Sequence, residues 1–574
     1  MDSGFLSDNV LSSATWQYLE RAVARLLRHG GFTGVRIVGQ TSDEGADVLA
    51  YKSGKRWLIQ VKSRKAANVG VEVLDQTMNA AQVYRADVPV IATNQGFTDE
   101  ARQQQLRLLA AGRPLQLWDR VQLRKSWERL PVNLLSTPQA RRYQEHPVQV
   151  IVDRYESRNP NSALIIMATG LGKTFVAAEA LRRLNLSRRE PLKVLVLAHR
   201  NELVYQLERA FWPFLTKQTL TSIWNGYESA DPAADLVFAC VDSVANYVDN
   251  TGGLPKEYDV IVIDECHHAA TSTYSTVVRA SGCGKAGGPF LVGLTATPWR
   301  SDGTSLDGIF GEPAACIDIV QGLKNGWLSN VDYRMHVDNI NWEELARVRS
   351  LTPRGLNRTL FIREWDDAVV LTLRETWYEL AQPRAIVFCG TIDHAITMRD
   401  RINALGFTRA EALFSAGQGG PSVSPAQRNR ILCDFHDGIV GVLCAVDILN
   451  EGIDLPDVNV VVFQRVTHSR RIFVQQLGRG LRLAEGKDKV IVLDFVSDIR
   501  RFAAGIDLQN QLSSASPSYV SLGNQVRFMS VSGEDKQAEA FLREWLEDVA
   551  AVEAAGEDDN VLKFPPPLTG RRGE

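Results

Sequence analysis

"MATGLGKT", Met167 to Thr174, decides how this chain is to be read. Gly-Lys-Thr just ahead of a helical stretch is the end of a phosphate-binding loop. The usual pattern has an earlier glycine at the place Met167 holds here. Either the match is fortuitous, or the loop belongs to a branch of P-loop proteins that does without that glycine. The sequence on both sides settles the choice.

The loop sits in a series. "ALIIM" runs directly into it. "KVLVLA", "DLVFACV", "DVIVID" and "FLVGLTA" follow, then "AIVFC", "VGVLCAV", "VNVVVF" and "VIVLDF". Each short apolar run leads to a polar or glycine-rich turn and then a helical stretch. That alternation predicts parallel strands covered on both faces. The series breaks near residues 328–380, where "NINWEELARVRSL" and "WDDAVVLTLRETWYEL" read as helices, so two α/β domains stand in tandem. The expected organisation is an α/β domain of another kind over 1–125, a connector over 126–137, and tandem parallel-sheet domains over 138–327 and 328–505. A helical C-terminal segment and tail over 506–574 completes it. In that last part "EDKQAEAFLREWLEDVAAVEAA" has an amphipathic pattern, followed by a proline stretch.

Composition narrows the class. A length of 574 residues predicts about three or four domains. A formal net charge of -3 excludes coating of nucleic acid through bulk basicity, so any such contact comes from local grooves. The seven cysteines are scattered singly, with no C-x-x-C pair, which argues against a zinc ribbon and suits a reducing cytosol. The first residues lack a secretion-signal pattern, and no apolar run approaches membrane-spanning length, so a cytoplasmic protein with no membrane contact is expected.

In open parallel sheets ligands bind at the carboxyl ends of the strands. After "ALIIM" come Ala168, Thr169, Gly170, Leu171, Gly172, Lys173 and Thr174. The glycines let backbone N–H groups face phosphate, Lys173 can reach the β- and γ-phosphates, and Thr174 can ligate Mg²⁺. After "DVIVI" come Asp264 and Glu265: a carboxylate there can hold Mg²⁺ through water, and its neighbour can orient the attacking water. After "FLVGL" come Thr295, Ala296 and Thr297. "CHH" at 266–268 has no second ligand pair at finger spacing, so His267 is expected to couple the nucleotide site to the next motif rather than bind zinc.

On these motifs, residues 138–505 resemble the superfamily 2 helicases and translocases, whose loops commonly lack the first glycine. The resemblance implies two RecA-like domains, with ATP and Mg²⁺ as cofactors. It makes Tyr143 and Gln144 the adenine-reading element. In "AHRNELVYQ" it places His199, Arg200 and Gln206 on the nucleic-acid backbone. "DECH" is similar to the Walker B box, with Cys266 where alanine is commoner, and "TATP", ending at Pro298, couples hydrolysis to movement. "IVFCGT" resembles motif IV. "AVDILNEGIDLP" resembles motif V, with Asn450, Glu451, Gly452 and Asp454. "QQLGRGLR" resembles motif VI, with Gln475, Arg479 and Arg482. The two arginines are expected to meet the γ-phosphate when the cleft between the domains closes, stabilising the transferring phosphoryl group.

The N-terminal region carries a second chemistry. In "GADVLAYKSGKRWLIQVKS", Ser53-Gly54 is a turn signal between two alternating runs. A two-residue loop there pairs Lys52 with Lys55 and sets Asp47 opposite Gln60. Lys62 shares that face. Upstream, "WQYLERAVARLL" reads as a helix with Trp16, Leu19, Val23, Leu26 and Leu27 inward, and Glu20 on or beside that stripe. A metal held by Glu20 and Asp47 would explain the carboxylate, with Lys62 positioning water against a phosphodiester. Together with "VIATNQGFTDEAR", the stretch resembles the Mrr-like restriction endonuclease domain of the PD-(D/E)xK group. That resemblance makes Glu20, Asp47, Gln60 and Lys62 the catalytic set, with Mg²⁺ or Mn²⁺. Gln60 stands where the group's general pattern has an acid.

The order of domains is similar to the motor subunits of type I restriction enzymes. It implies an ATP-dependent DNA helicase or translocase fused to a metal-dependent endonuclease, acting on double-stranded DNA in restriction or antiviral defence. A partner subunit would choose the target. The alternative is a repair helicase, of the kind that RadD and XPB represent, whose nuclease-like domain binds DNA without cutting.

Overall fold

The structure, a computed structural model, describes residues 4–38, 45–134, 137–269, 272–283, 287–296, 306–317, 321–322, 325–337, 363–414, 423, 425–446, 458–464, 489–495 and 527–530. They form three sheets. One compact unit holds the first and second sheets, and another holds the third. The fold is α/β throughout, as the alternation of runs predicts.

In the first sheet, helices α1 (Asp8–Ser13) and α2 (Trp16–His29) precede β1 (Thr33–Ile37), β2 (Val48–Lys52) and β3 (Lys55–Lys62), which pair antiparallel. Then α3 (Glu72–Val83), β4 (Val88–Thr93), α4 (Asp99–Ala110), β5 (Gln116–Trp118) and α5 (Arg120–Glu128) follow, with β4 and β5 joining in parallel. The β2–β3 register runs from Lys52 opposite Lys55 to Val48 opposite Ile59, as the Ser-Gly turn predicts. Ser53 and Gly54 have φ of 54° and 71°. Positive φ at both positions is what matches a two-residue turn to the twist of its strands.

Thr15 caps α2 by accepting from the Tyr18 N–H. Leu19, Val23, Leu26 and Leu27 pack on Val48, Ala50, Ile59 and Val61 in one core. Trp16, expected in the same stripe, is 47% exposed. Helical side chains lean toward the N-terminus, so one in the first turn overhangs the helix end instead of lying on the sheet.

In the second sheet the elements are α6 (Arg142–Ser157), β6 (Ser162–Met167), α7 (Lys173–Leu186), β7 (Val194–Ala198), α8 (Asn201–Phe211), β8 (Thr221–Trp224) and β9 (Leu236–Cys240). After them come α9 (Val241–Thr251), β10 (Val260–Ile263), α10 (Ser272–Ser281), β11 (Phe290–Thr295), α11 (Asp307–Phe310) and β12 (Ala315–Ile317). The strand order is β12-β6-β11-β10-β7-β9-β8. The six strands from β6 to β8 pair in parallel and are buried almost throughout, which their unbroken apolar runs require.

The third sheet comprises β13 (Asn330–Val337), β14 (Ala385–Cys389), β15 (Ala410–Phe414), β16 (Val442–Val446), β17 (Val460–Gln464), β18 (Lys489–Asp494) and β19 (Arg527–Ser530). Its order is β15-β16-β14-β17-β18-β13-β19, parallel at every junction. Helices α12 (Arg363–Trp377) and α13 (Ile392–Leu405) flank β14 in sequence. The first corresponds to the helix expected in "WDDAVVLTLRETWYEL". Two expectations need correction. The interval from 328, where the strand series is expected to break, opens with β13 ahead of the two stretches read as helices, and its "NVDYRMHV" alternates apolar and polar residues with the strand period of two. The terminal segment, read as helix and tail, contributes β19. "NINWEELARVRSL" and "EDKQAEAFLREWLEDVAAVEAA" lie outside the described residues.

Within the first unit, α2 has a second buried face. Arg21 Nε is 3.1 Å from Glu208 Oε2, and its Nη1 is 2.7 Å from Glu228 Oε1. Arg25 donates to the carbonyls of Thr216 and Thr219 at 2.8 and 3.0 Å. Lys217 Nζ donates to the Glu128 and Leu130 carbonyls at 2.9 and 2.7 Å, closing the end of α5. The two sheets' domains therefore share a polar, desolvated junction.

His29 lies at that junction beside Phe5. Burial, reinforced by the Arg25 charge, pushes its imidazole down to about 3. An unfolded histidine titrates near ~6.5, so below that pH the unfolded chain binds more protons than the folded one. The stability His29 contributes is thus complete above ~6.5 and is lost as pH falls toward 3. Melting temperature measured from pH 7 to pH 5 should fall less steeply in His29→Gln than in the wild type. Parallel pH profiles would refute this assignment.

Candidate functional site

At the carboxyl edge of the second sheet, Gly170 and Gly172 have φ of 92° and 89°, conformations open to glycine at no steric cost. Gly172 caps α7 with no side-chain bond to its first N–H groups, which leaves them for an anion at the positive end of the helix dipole. A Cβ on Gly172 would lie 2.7 Å from Gln144 Nε2, so any other residue here would push the Gln144 amide aside. Gln144 is buried, and its Oε1 accepts from the Arg141 N–H at 2.9 Å. Tyr143, beside it, is buried as well. Thr174 is half-buried in the first turn of α7, and Leu171 is fully buried.

Lys173 Nζ is 3.5 Å from Glu265 Oε1. Glu265 has φ 46° and ψ 51°, a left-handed conformation that costs a non-glycine residue about 1–3 kcal/mol and is found chiefly at functional sites. Burial, and then the Glu265 charge, push the Asp264 carboxyl up to about 7. Its Oδ1 is buried without a hydrogen-bond partner, as is Thr169 Oγ1. Orphaned oxygen atoms and an unpaired helix start fit a magnesium nucleotide, with Asp264 and Thr174 as the residues that would hold the cation.

His267 Nδ1 lies 3.1 Å from Thr295 Oγ1 and 3.3 Å from Glu265 Oε2, joining the ends of β10 and β11 as the sequence reading expects. His199 and Arg200 stand between β7 and α8, with Arg200 the extended residue that starts the helix. Gln206 is half-buried on α8. Thr297, Pro298, Asn450, Glu451, Gly452, Asp454, Gln475, Arg479 and Arg482 lie outside the described residues.

In the first sheet, alternation along β3 sends Ile59 and Val61 to the face that α2 covers. Gln60 therefore faces α3, where its Oε1 accepts from the Thr77 hydroxyl. Lys62 shares that parity and is half-buried. Asp47, one residue before β2, accepts through Oδ2 from the Val61 N–H. Asp47 and Gln60 are buried on adjacent strands, at 4% and 1% exposure. Glu20, at 6%, is carried by α2, on the opposite side of β3 from Gln60 and Lys62. Among the described residues no three His, Cys, Asp or Glu side chains gather around one point. Neutral Gln60 is the reason the paired strands offer only the one carboxylate of Asp47. Arg21 and Arg25 were not legible as buried residues, because arginines one helical turn apart read as a solvated face.

Comparison with known proteins follows the same divisions. Residues 11–127 match the family described as restriction endonuclease, of the Mrr catalytic type. Residues 137–300 match type III restriction enzyme, res subunit, and residues 369–484 match helicase conserved C-terminal domain. The three matched stretches fall one on each of the three sheets. It is 27% identical to irc3 of Schizosaccharomyces pombe over 370 residues, 64% of this chain and 59% of that one. It is 25% identical over 511 residues to the type I restriction enzyme EcoAI endonuclease subunit of Escherichia coli, 82% of this chain and 62% of that one. The chain therefore spans about three fifths of the length of these relatives. The ATP-dependent type ISP restriction-modification enzyme LlaBIII bound to DNA has the same fold at TM-score 0.53 and 17% identity, across 97% of this chain and 43% of that one. Among the described residues, no helix is long and apolar enough to cross a membrane.

Thr77 is fully buried, and its hydroxyl lies between the Gln60 side-chain oxygen and the Val73 carbonyl, 2.8 Å from the latter. Replacing a buried donor leaves its acceptor unsatisfied, at a cost of about 1–3 kcal/mol. Thr77→Val should lower the urea midpoint of unfolding accordingly, while Thr77→Ser should keep most of it. A valine variant as stable as wild type would show that the bond does not order Gln60.

Proposed function

We propose that the chain is an ATP-driven DNA helicase or translocase that also cuts DNA, acting in restriction of invading DNA. The observation that carries the reading is the set Lys173, Asp264 and Glu265 gathered at one sheet edge, in the same compact unit as an endonuclease-type sheet. Lys173 neutralises charge on the terminal phosphates, and Glu265 orients the attacking water. Arg479 and Arg482 supply further positive charge to the transferring group, Gln475, Gly452 and Asp454 contact the nucleotide, and Tyr143 and Gln144 read its base. At the nuclease-like site Asp47 would hold Mg²⁺ or Mn²⁺, with Glu20, carried by α2 on the other side of β3, standing apart from that face. That cation would stabilise the leaving oxygen. Lys62 positions the attacking water, and Gln60 orders the strand beside it.

Double-stranded DNA is the proposed substrate, with a partner subunit choosing the target and the cytoplasm as the compartment. The likeness to the EcoAI subunit supports restriction. It spans too much of the chain to omit the endonuclease region altogether, whereas the likeness to irc3 covers less. A repair helicase with a DNA-gripping but inactive first domain is the second reading. It is favoured by Gln60, whose neutral amide weakens the hold on a cation.

One plasmid assay with Mg²⁺, with and without ATP, separates the two. In Lys173→Ala, DNA-stimulated ATP hydrolysis should fall by about 10²–10³-fold, the usual cost of losing one charge-stabilising group. In Lys62→Ala, hydrolysis should persist and cutting should stop. A wild type that hydrolyses ATP on DNA but never cuts with Mg²⁺ or Mn²⁺ would put the repair reading first.

A further inference from the structure

Neighbouring residues of α2 face two different chemistries. Glu20 belongs to the candidate nuclease set. Arg21, turned about 100° from it around the helix, is buried against the first helicase domain. Of its acidic partners, Glu228 follows β8 at the carboxyl edge of the second sheet, and Glu208 stands at the far end of the helix that begins at that edge. Glu208 lies in the last turn of α8, the helix that starts at Arg200 and follows His199 directly. Its Oε1 accepts from Thr221 Oγ1 at 2.6 Å, which ties α8 to β8. Glu228 closes the loop after β8, at the same carboxyl edge. Its Oε1 accepts from the Tyr205 hydroxyl of α8 at 3.1 Å. Tyr205 in turn accepts from Asn225 Nδ2 at 3.0 Å, and Asn225 Oδ1 accepts from the N–H groups of Tyr227 and Glu228.

Arg21 therefore fastens three pieces at once: α2, α8 and the 225–228 loop. Burial opposes its charge, yet Glu208 and Glu228 outweigh that and hold its pKa above the ordinary arginine value. Buried ion clusters add little net stability over apolar packing. What they do enforce is one relative arrangement of the groups they join, because any other leaves a desolvated charge unpaired.

We propose that Arg21 is a positioning residue that couples nucleic-acid engagement at the His199–Arg200 edge of the helicase domain to the endonuclease domain, with α2 as the shared element. The proposal rests on the function proposed above. Coupling of this kind is reciprocal, so α2 also biases how the helicase domain holds DNA.

The test uses the full chain with Glu228→Gln, which leaves no bare charge of its own, and Arg21→Lys, which keeps the charge but not the fork. The measurements are ATP hydrolysis without DNA, the DNA concentration that gives half-maximal stimulation, and the ATP-dependent gain in plasmid cutting. Glu228→Gln should keep unstimulated hydrolysis within about twofold, while the half-stimulating DNA concentration rises about fivefold or more. The ATP-dependent gain in cutting should fall by a similar factor, and Arg21→Lys should fall between the two. A merely structural role would lower the melting temperature and scale all rates together, with the half-stimulating concentration unmoved, and that result overturns the proposal. Should Arg21→Lys not fold, Glu228→Gln decides alone. A wild type without DNA-stimulated hydrolysis would instead overturn the proposed function, and the coupling with it.

Discussion

In-register parallel pairing of β6, β11, β10 and β7 is the constraint from which the nucleotide site follows. Val260 lies opposite both Val194 and Phe290, and Leu291 opposite Ser162, so neighbouring strands end close to one level. Inside the sheet the central strands are paired on both sides and their side chains are buried almost throughout. Only the residue after each strand is free to carry charge. Lys173, Asp264, Thr295 and His199 are such residues, or lie within a turn of one. The Asp264 N–H bonds to the Leu197 carbonyl at 3.0 Å, which extends the ladder to the last residue before Glu265 turns left-handed. Strain at Glu265 is sustained because its neighbours on both sides are held: Asp264 by the ladder, and His267 by Thr295.

The first sheet reaches a comparable result by a different route. Antiparallel alternation, fixed by the Ser53–Gly54 turn, decides which side chains meet α2 and which meet α3. A slip of one residue would exchange the two sets, sending Gln60 and Lys62 into the apolar core and Ile59 and Val61 out of it. Burying Val48, Ala50, Ile59 and Val61 under α2 therefore specifies the polar face as firmly as any contact within it.

Much of this was legible in the sequence because it rests on short-range signals. The continuous runs "KVLVLA", "DVIVID" and "FLVGLTA" can bury only as central parallel strands, and two residues that tolerate positive φ set the hairpin register. The unread strands are of another kind. β8 is four residues long, β12 is three and β19 four. So short a run shows no local period, and β12 and β19 also take their partners from distant parts of the chain. Trp16 was misplaced because helical periodicity locates a residue around the axis but not along it. Arg21 and Arg25 escaped notice for a deeper reason. Their partners, Glu208, Glu228, Thr216 and Thr219, lie about two hundred residues away, and pairing over such a separation leaves no mark in a window of sequence.

Buried charge at a domain junction is an odd choice if stability alone were at stake, since an apolar junction would hold as well without the cost of desolvation. Apolar surfaces, however, slide. A guanidinium that donates to both oxygens of the Glu228 carboxylate, at 2.7 and 2.8 Å, with the Glu208 charge 3.1 Å from its Nε, favours that arrangement over its neighbours. The same logic holds at Lys217, where one ammonium closes the open carbonyls at the end of α5. These groups fix the first sheet to the second at particular points, so that movement of α8 cannot be taken up by slippage between the domains. A junction fixed at such points holds α2 of the first sheet against α8 and the loop after β8 in the second.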